Sequence, residues 1–124
     1  MVGPLPDIAL DLPLDGKGRA GPGMNTTIAI IATDADLSGP ELKRVAIMAT
    51  DGLARALRPV HTPFDGDTLF ALTTAKRPVG GDRLRELTRI GNLAADCVAR
   101  AVARAVYAAE TLGDIKSYRD RFRE

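Results

Sequence analysis

The sequence contains no tryptophan, and aromatic residues make up only 4% of its 124 residues. A core without large rings must be built from alanine, valine, isoleucine and leucine, so we expect its helices and strands to approach one another closely. A single cysteine excludes a disulfide within the chain. The length is that of one domain of ordinary size, and the hydrophobic fraction of 45% suits a globular core.

Excess charge and long apolar runs are also missing. Seventeen basic and 16 acidic residues leave a net charge of +1, which argues against a nucleic-acid-binding surface, because tracking phosphates requires clustered lysine and arginine. The longest apolar run, 28–32, is too short to span a membrane, and the N-terminus lacks the charged and apolar regions of a secretory signal. These features predict a cytoplasmic protein that binds neither nucleic acid nor membrane.

Proline and glycine are concentrated at the start of the chain. Residues 1–24 hold four prolines and five glycines, a composition that favours an extended or flexible connection. The run 16–23 resembles an exposed link that a protease, or the protein itself, could cut. At Asn25 the pattern changes to that of packed secondary structure.

Four segments follow in the order strand, helix, strand, helix. The β-branched apolar run 27–33 predicts a strand covered on both faces, and Ser38 with Glu41 predicts a capping box that starts a helix over about 39–57. A second apolar strand is predicted over 68–74. Asp82 then caps a long helix to about 110, and the charged tail from 114 is expected at the surface.

These elements predict an α/β chain that is incomplete by itself. Two strands buried on both faces cannot be covered by two helices alone, so the strands either join a larger sheet supplied by another chain or form half of a dimer. Cys97 falls on the apolar face of the second helix, where the simplest interpretation is a small core residue.

One candidate for chemistry lies where the glycine-rich connection meets the first strand. The hydroxyl of Thr26 could attack the carbonyl of Asn25, and hydrolysis of the resulting ester would free Thr26 as a new N-terminus. A free α-amine has an unperturbed pKa of ~7.7–8.0, so an N-terminal threonine carries its own general base. The alternative is that these polar residues only mark the entry to a strand.

A second candidate is the pair Asp65 and Asp67, separated by Gly66 just before the second strand. Such a pair can orient an amine, move a proton or bind a metal. The alternative is a turn in which Asp65 bonds its own backbone. His61 is the only histidine, and the sequence supports neither a Ser-His-Asp nor a Cys-His site.

Taken together, the segments 25–35, 51–56 and 59–67 closely resemble the family of L-aminopeptidase/D-esterases and β-aminopeptidases, with nylon-oligomer hydrolases as its most similar branch. The resemblance extends in order from about residue 12 to 112. It implies a four-layer αββα sandwich whose strands and helices are shared between two subunits cut from one precursor.

The resemblance also implies the roles of individual residues. The cut falls between Asn25 and Thr26, so that 1–25 is the tail of the large subunit and 26–124 is the small subunit. Thr26 is then the nucleophile, Asp67 holds its amine or hydroxyl, and Asp65 supports Asp67. No metal and no organic cofactor is implied, so the cofactor expectation is none.

The implied activity is hydrolysis of linear amides, such as 6-aminohexanoate oligomers or N-terminal peptide and β-peptide bonds. The implied partners are the large subunit of the same precursor, which supplies a lysine, an asparagine and a tyrosine to the site, further copies of the processed heterodimer, and a small amide substrate. Two alternatives stay open: an acyl transferase of the ornithine acetyltransferase type, and a non-catalytic assembly module.

Overall fold

A computed structural model describes residues 26–122 as an α/β unit with a two-stranded parallel sheet. The elements are β1 (Ile28–Ala35), α1 (Gly39–Ala56), β2 (Thr68–Arg77), α2 (Arg83–Ala108) and α3 (Tyr118–Phe122). The predicted order of strand, helix, strand and helix is therefore confirmed, and the charged tail expected at the surface also contains one short turn of helix, α3. In the described part of the chain, no helix is long and apolar enough to cross a membrane.

Within residues 26–122 the sheet is covered on one face only, which agrees with the expectation that two helices alone cannot cover both faces of the strands. The face toward the helices contributes Ile31, Ala35 and Leu69 to the packing around the core. On the opposite face, Ile30 and Phe70 stand side by side in register and are 63% and 57% exposed. The apolar run indicates a strand made for burial on both sides, but nothing within residues 26–122 lies over the second face.

The core lies between α1, α2 and the covered face of the sheet. Its buried members are small or medium-sized: Leu37, Val45, Ala49, Leu53, Ala94 and Val98. The two helices lie close together at Gly52, where an added Cβ would lie 2.2 Å from the carbonyl oxygen of Ala95. The expectation of close approach in a core with few aromatics is therefore confirmed.

The start of α1 is fixed by charged hydrogen bonds. The carboxylate of Glu41 accepts from the backbone N–H of Ser38 at 2.8 Å and from its hydroxyl at 2.7 Å. Arg83, the first residue of α2, donates to both oxygens of the same carboxylate, at 2.6 and 2.8 Å, and to the carbonyl of Asp36 at 3.0 Å. The bonds to the Glu41 carboxylate, with that from Arg83 as the largest cause, lower the pKa of Glu41 to about 2.

Strand β2 continues three residues beyond its predicted end because its pairing with β1 is irregular there. Thr33 pairs with Thr73 but Ala35 pairs with Arg77, so β2 contains two extra residues at this point. Ala75 adopts a φ of 51° within the irregularity, and its N–H donates to the hydroxyl of Thr73 at 2.9 Å. A bulge of this kind depends on side-chain bonds to the backbone, which a hydrophobic pattern does not report.

The sequence interpretation of Cys97 was wrong, because this residue is exposed. It lines a shallow apolar cleft of about 320 Å³ between the edge of β1 and the α2 residues Ala101 and Ala105. The helical spacing placed Cys97 on the apolar face of α2 correctly. That face extends beyond the part that α1 and the sheet cover.

Candidate active site

The two polar segments picked out by the sequence meet at one edge of the sheet. Because β1 and β2 are parallel, both strands begin at the same edge, and the residues before each strand are neighbours. Thr26 and Thr27 precede β1, and the loop with Asp65 and Asp67 precedes β2. The backbone N–H of Thr68 donates to the carbonyl oxygen of Thr27 at 2.9 Å, which extends the pairing to this edge.

Asp67 is the residue of the pair that faces the start of β1. Its Oδ1 accepts a hydrogen bond of 2.9 Å from the backbone N–H of Thr27, and its side chain is only 8% exposed. The carboxylate is therefore fixed against the peptide group that joins Thr26 to Thr27. A largely buried anion one residue from Thr26 can orient or stabilise a positively charged amine at that position.

Asp65 instead bonds to the backbone of its own loop. Its Oδ2 accepts from the backbone N–H of Thr62 at 2.7 Å, and its own N–H donates to the carbonyl of Thr62 at 3.0 Å. These reciprocal bonds close the turn that carries the chain toward Asp67. The sequence left open whether Asp65 is a turn residue, and the geometry shows that it does close a turn.

His61 also belongs to this cluster, which its position in the sequence alone does not indicate. Its Nδ1 lies 3.0 Å from Oδ2 of Asp67, within ion-pair distance, although Oδ2 has no hydrogen-bond partner among the described residues. The backbone of His61 has a φ of 56°, in the left-handed region. A signal was present in the sequence, since the only histidine lies in the same loop as the pair, but spacing alone does not show that the ring turns back onto Asp67.

Thr26 is exposed at the end of the described chain and forms at least one polar or electrostatic contact. Asn25, the other residue of the predicted cleavage site, and the whole of segment 1–25 lie outside the described residues. The geometry around Thr26 is thus defined from its C-terminal side, by the bonds of Thr27 to Asp67 and Thr68.

Metal ligation has little support in this cluster. Within 26–122, no three His, Cys, Asp or Glu side chains come together as a set of metal ligands. One oxygen of each carboxylate already accepts a backbone N–H, at 2.9 Å for Asp67 and 2.7 Å for Asp65. A cavity of about 420 Å³ lined by Thr33, Arg77 and Arg89 lies at the opposite end of the strands, so it is separate from this site.

Comparison with known proteins shows which family and which individual proteins the chain is similar to. The model of peptidase family S58 matches residues 8–119. An uncharacterized aminopeptidase of Mycobacterium bovis is 49% identical over 107 residues, covering 79% of this chain and 31% of that protein. An uncharacterized aminopeptidase of Mycobacterium leprae is 48% identical over 104 residues, covering 77% and 29%.

A third relative has a more specific name. A 6-aminohexanoate-oligomer endohydrolase of Kocuria is 46% identical over 50 residues, which cover 40% of this chain and 14% of that protein. The chain thus spans about a third of the length of the mycobacterial relatives.

Proposed function

Because the chain belongs to peptidase family S58, we propose that it is the nucleophile-bearing part of an amide hydrolase in which Thr26 becomes an N-terminal nucleophile. The observation that carries the proposal is the hydrogen bond from the N–H of Thr27 to Oδ1 of Asp67 at 2.9 Å. It holds a buried carboxylate beside the one residue whose amine must act as a base.

The proposed processing step uses the hydroxyl of Thr26 against the carbonyl carbon of Asn25. The acyl group moves from the nitrogen to the oxygen of Thr26, and the amide becomes an ester. Water then cleaves the ester, leaving a carboxylate on Asn25 and a free amine on Thr26. This amine is the general base that the hydroxyl lacks in the uncut chain.

In the proposed catalytic cycle, the amine of Thr26 accepts the hydroxyl proton as Oγ attacks the carbonyl carbon of the substrate. The same proton passes to the leaving amine, and an acyl ester remains on Thr26. Water, deprotonated by the amine, hydrolyses the ester and restores the hydroxyl. Asp67 stabilises the amine while it is protonated, and Asp65 keeps the loop of Asp67 in place.

The names of the relatives support a proposal about the type of bond that is cleaved. Two relatives are named an uncharacterized aminopeptidase and a 6-aminohexanoate-oligomer endohydrolase, and both names denote hydrolysis of amide bonds. We propose linear amides as substrates, either oligomers of 6-aminohexanoate or N-terminal peptide bonds. Assays with a linear 6-aminohexanoate oligomer and with an aminoacyl anilide separate the two, and added amines as acceptors detect the acyl transferase alternative.

The open face of the sheet supports a large-subunit partner. Ile28, Ile30, Phe70 and Leu72 are apolar and exposed together on this face. We propose that a large subunit of the same precursor covers it in a four-layer sandwich, and that processed heterodimers associate further. The partner would also supply the groups that stabilise the oxyanion, because the described loop contributes carboxylates to the site.

The experiment that tests the proposal is intact-mass analysis of the chain assembled with its large subunit. We expect the wild type to yield a fragment that begins at Thr26, Thr26→Ser to retain some cleavage, and Thr26→Ala to stay uncut. Thr27→Ala is the matched control and should still be cut, since the bond to Asp67 uses the backbone of Thr27. Cleavage that persists in Thr26→Ala would contradict the assignment.

A further inference from the structure

We infer that His61 is a positioning residue for Asp67, and through Asp67 for Thr26; the inference rests on the function proposed above. The Nδ1 atom of His61 lies 3.0 Å from Oδ2 of Asp67, and the two side chains are 42% and 8% exposed. The exposed ring thus contacts a largely buried carboxylate. Its role is to hold that carboxylate in the orientation that faces the start of β1.

The two oxygens of Asp67 differ in their partners, which leaves a place for the imidazole. Oδ1 accepts the N–H of Thr27, whereas Oδ2 is buried and has no hydrogen-bond partner among residues 26–122. A buried carboxylate oxygen without a donor is unfavourable. Nδ1 of His61 is at contact distance from this oxygen. Catalytic hydrogen bonds are often long or poorly aligned before substrate binds, so we expect reorientation of the ring to give Oδ2 its donor.

The backbone of His61 provides a second, independent observation. Its φ of 56° lies in the left-handed region, which L-residues with a side chain seldom adopt and which His, Asn and Asp tolerate better than most. The next residue, Thr62, forms with Asp65 the bonds that close the turn. Such a conformation persists only when its surroundings maintain it, and strained residues of this kind gather at functional sites.

Loss of the ring would leave Asp67 held at Oδ1 alone. The carboxylate could then turn about its terminal torsion, and the charge beside the amine of Thr26 would no longer be fixed. His61 does not touch the substrate in this arrangement, so its removal should lower kcat and leave KM nearly unchanged. A residue that only stabilised the fold would instead lower the melting temperature and leave turnover per folded molecule unchanged.

The test uses variants that separate the ring from the backbone conformation. His61→Gly tolerates the left-handed φ but removes the ring, and we expect kcat to fall about 10- to 100-fold. Ala75→Gly is the matched control, because Ala75 also has a positive φ, 51°, at the opposite end of the sheet from Asp67. Its turnover should equal that of the wild type.

A second pair keeps the test decisive if His61→Gly does not assemble. The side chains introduced by His61→Asn and His61→Asp have the same shape, and both residues tolerate a positive φ. Only Asn offers a hydrogen-bond donor to Asp67, whereas Asp places a like charge beside it. We expect Asn to retain clearly more activity than Asp. Equal kcat values in this pair, or a wild-type kcat in His61→Gly, would overturn the inference.

Thr26→Ala, assayed in parallel, distinguishes failure of this inference from failure of the proposed function. If Thr26→Ala still turns over substrate, Thr26 is not the nucleophile, and the role proposed for His61 is also wrong. If Thr26→Ala is inactive and His61→Gly is fully active, the assignment of Thr26 as nucleophile is retained and only the positioning role of His61 is overturned.

Discussion

Thr27 and Asp67 are 40 residues apart in sequence and are joined by a hydrogen bond of 2.9 Å from the backbone N–H to Oδ1. This single bond links the start of β1 to the loop before β2. It turns two motifs that are ambiguous on their own into one site, because it puts a buried carboxylate next to Thr26.

The first prediction concerns the charge of Asp67. Asp67→Asn keeps the shape of the side chain and an oxygen for the N–H of Thr27 but removes the negative charge. We expect turnover to fall about 10²-fold or more, comparable to the loss of general acid–base assistance, while the fold is retained. Turnover and melting temperature should be measured on the same sample of the assembled enzyme.

Asp65→Asn is the matched comparison for that prediction. Asp65 closes the turn through Thr62, and in the proposed function it would act on Thr26 only through its neighbour. Its variant should therefore be less damaging to turnover and more damaging to stability. The double variant should lose much less than the sum of the two losses, because the residues act as a unit. Full activity of Asp67→Asn with a lowered melting temperature would reduce Asp67 to a turn residue.

The second prediction concerns the open face of the sheet. Phe70 is 57% exposed at the centre of this face, so the isolated chain should self-associate, and Phe70→Lys should reduce that association and weaken binding of the large subunit. Leu84→Lys is the control, since Leu84 is 77% exposed in the first turn of α2, away from the sheet face. Light scattering of the isolated chain and pull-down of the large subunit provide the measurements. A monodisperse wild-type chain would argue against a missing layer.

The third prediction concerns the contact between α1 and α2. Gly52→Ala places a methyl group 2.2 Å from the carbonyl oxygen of Ala95, and a helix backbone cannot move aside locally. We expect a destabilisation of about 1–3 kcal/mol, typical of overpacking. Gly91→Ala meets the flexible end of Met48 at 2.3 Å and should cost less.

Gly39→Ala is the control for that pair, because an added Cβ there meets nothing within 4 Å. It should leave stability unchanged or raise it by about 0.5 kcal/mol, since alanine restricts the unfolded chain more than glycine does. Chemical denaturation of the assembled protein gives all three values. A Gly52→Ala variant as stable as Gly39→Ala would mean that the helices do not touch as described.

Much of the fold could be predicted because helix signals are local. The predicted helix over 39–57 is observed as Gly39–Ala56, and the predicted N-cap, Asp82, accepts from the N–H groups of Leu84 and Arg85. The apolar runs located both strands and indicated that two helices could not cover both faces, but they did not identify which face stays open. An apolar run indicates that a surface is made for burial, but it does not identify the polypeptide that buries it.

The site was predictable only in part, for a similar reason. Parallel strands bring their starting ends together, so Thr26 and Asp67 could be expected at one edge. The different contacts of the two carboxylates could not be predicted, because they depend on which backbone N–H each carboxylate reaches. Asp67 accepts from Thr27, and Asp65 accepts from Thr62. The contact of His61 likewise depends on a left-handed backbone that no spacing rule predicts.

The last prediction concerns pH and the ion pair between Glu41 and Arg83. The folded chain lowers the pKa of Glu41 from its ordinary 4.5 to about 2. A carboxyl whose pKa is depressed on folding stabilises the protein above its unfolded pKa and loses that contribution as the pH falls through the folded value. The difference in melting temperature between wild type and Glu41→Gln should therefore be constant from pH 7 to about 5 and shrink between about 4.5 and 2.

The arginine is the decisive control for this prediction, because its bond is the largest cause of the lowered pKa. In an Arg83→Gln background, Glu41 keeps only the N–H and hydroxyl of Ser38. The difference made by Glu41→Gln should then be smaller at pH 7, and it should disappear at a higher pH than in the wild type. The readout is thermal melting of the four variants across this pH range. A difference that is the same with and without Arg83 would show that the cap of α1, and not the link between the two helices, accounts for the stabilisation.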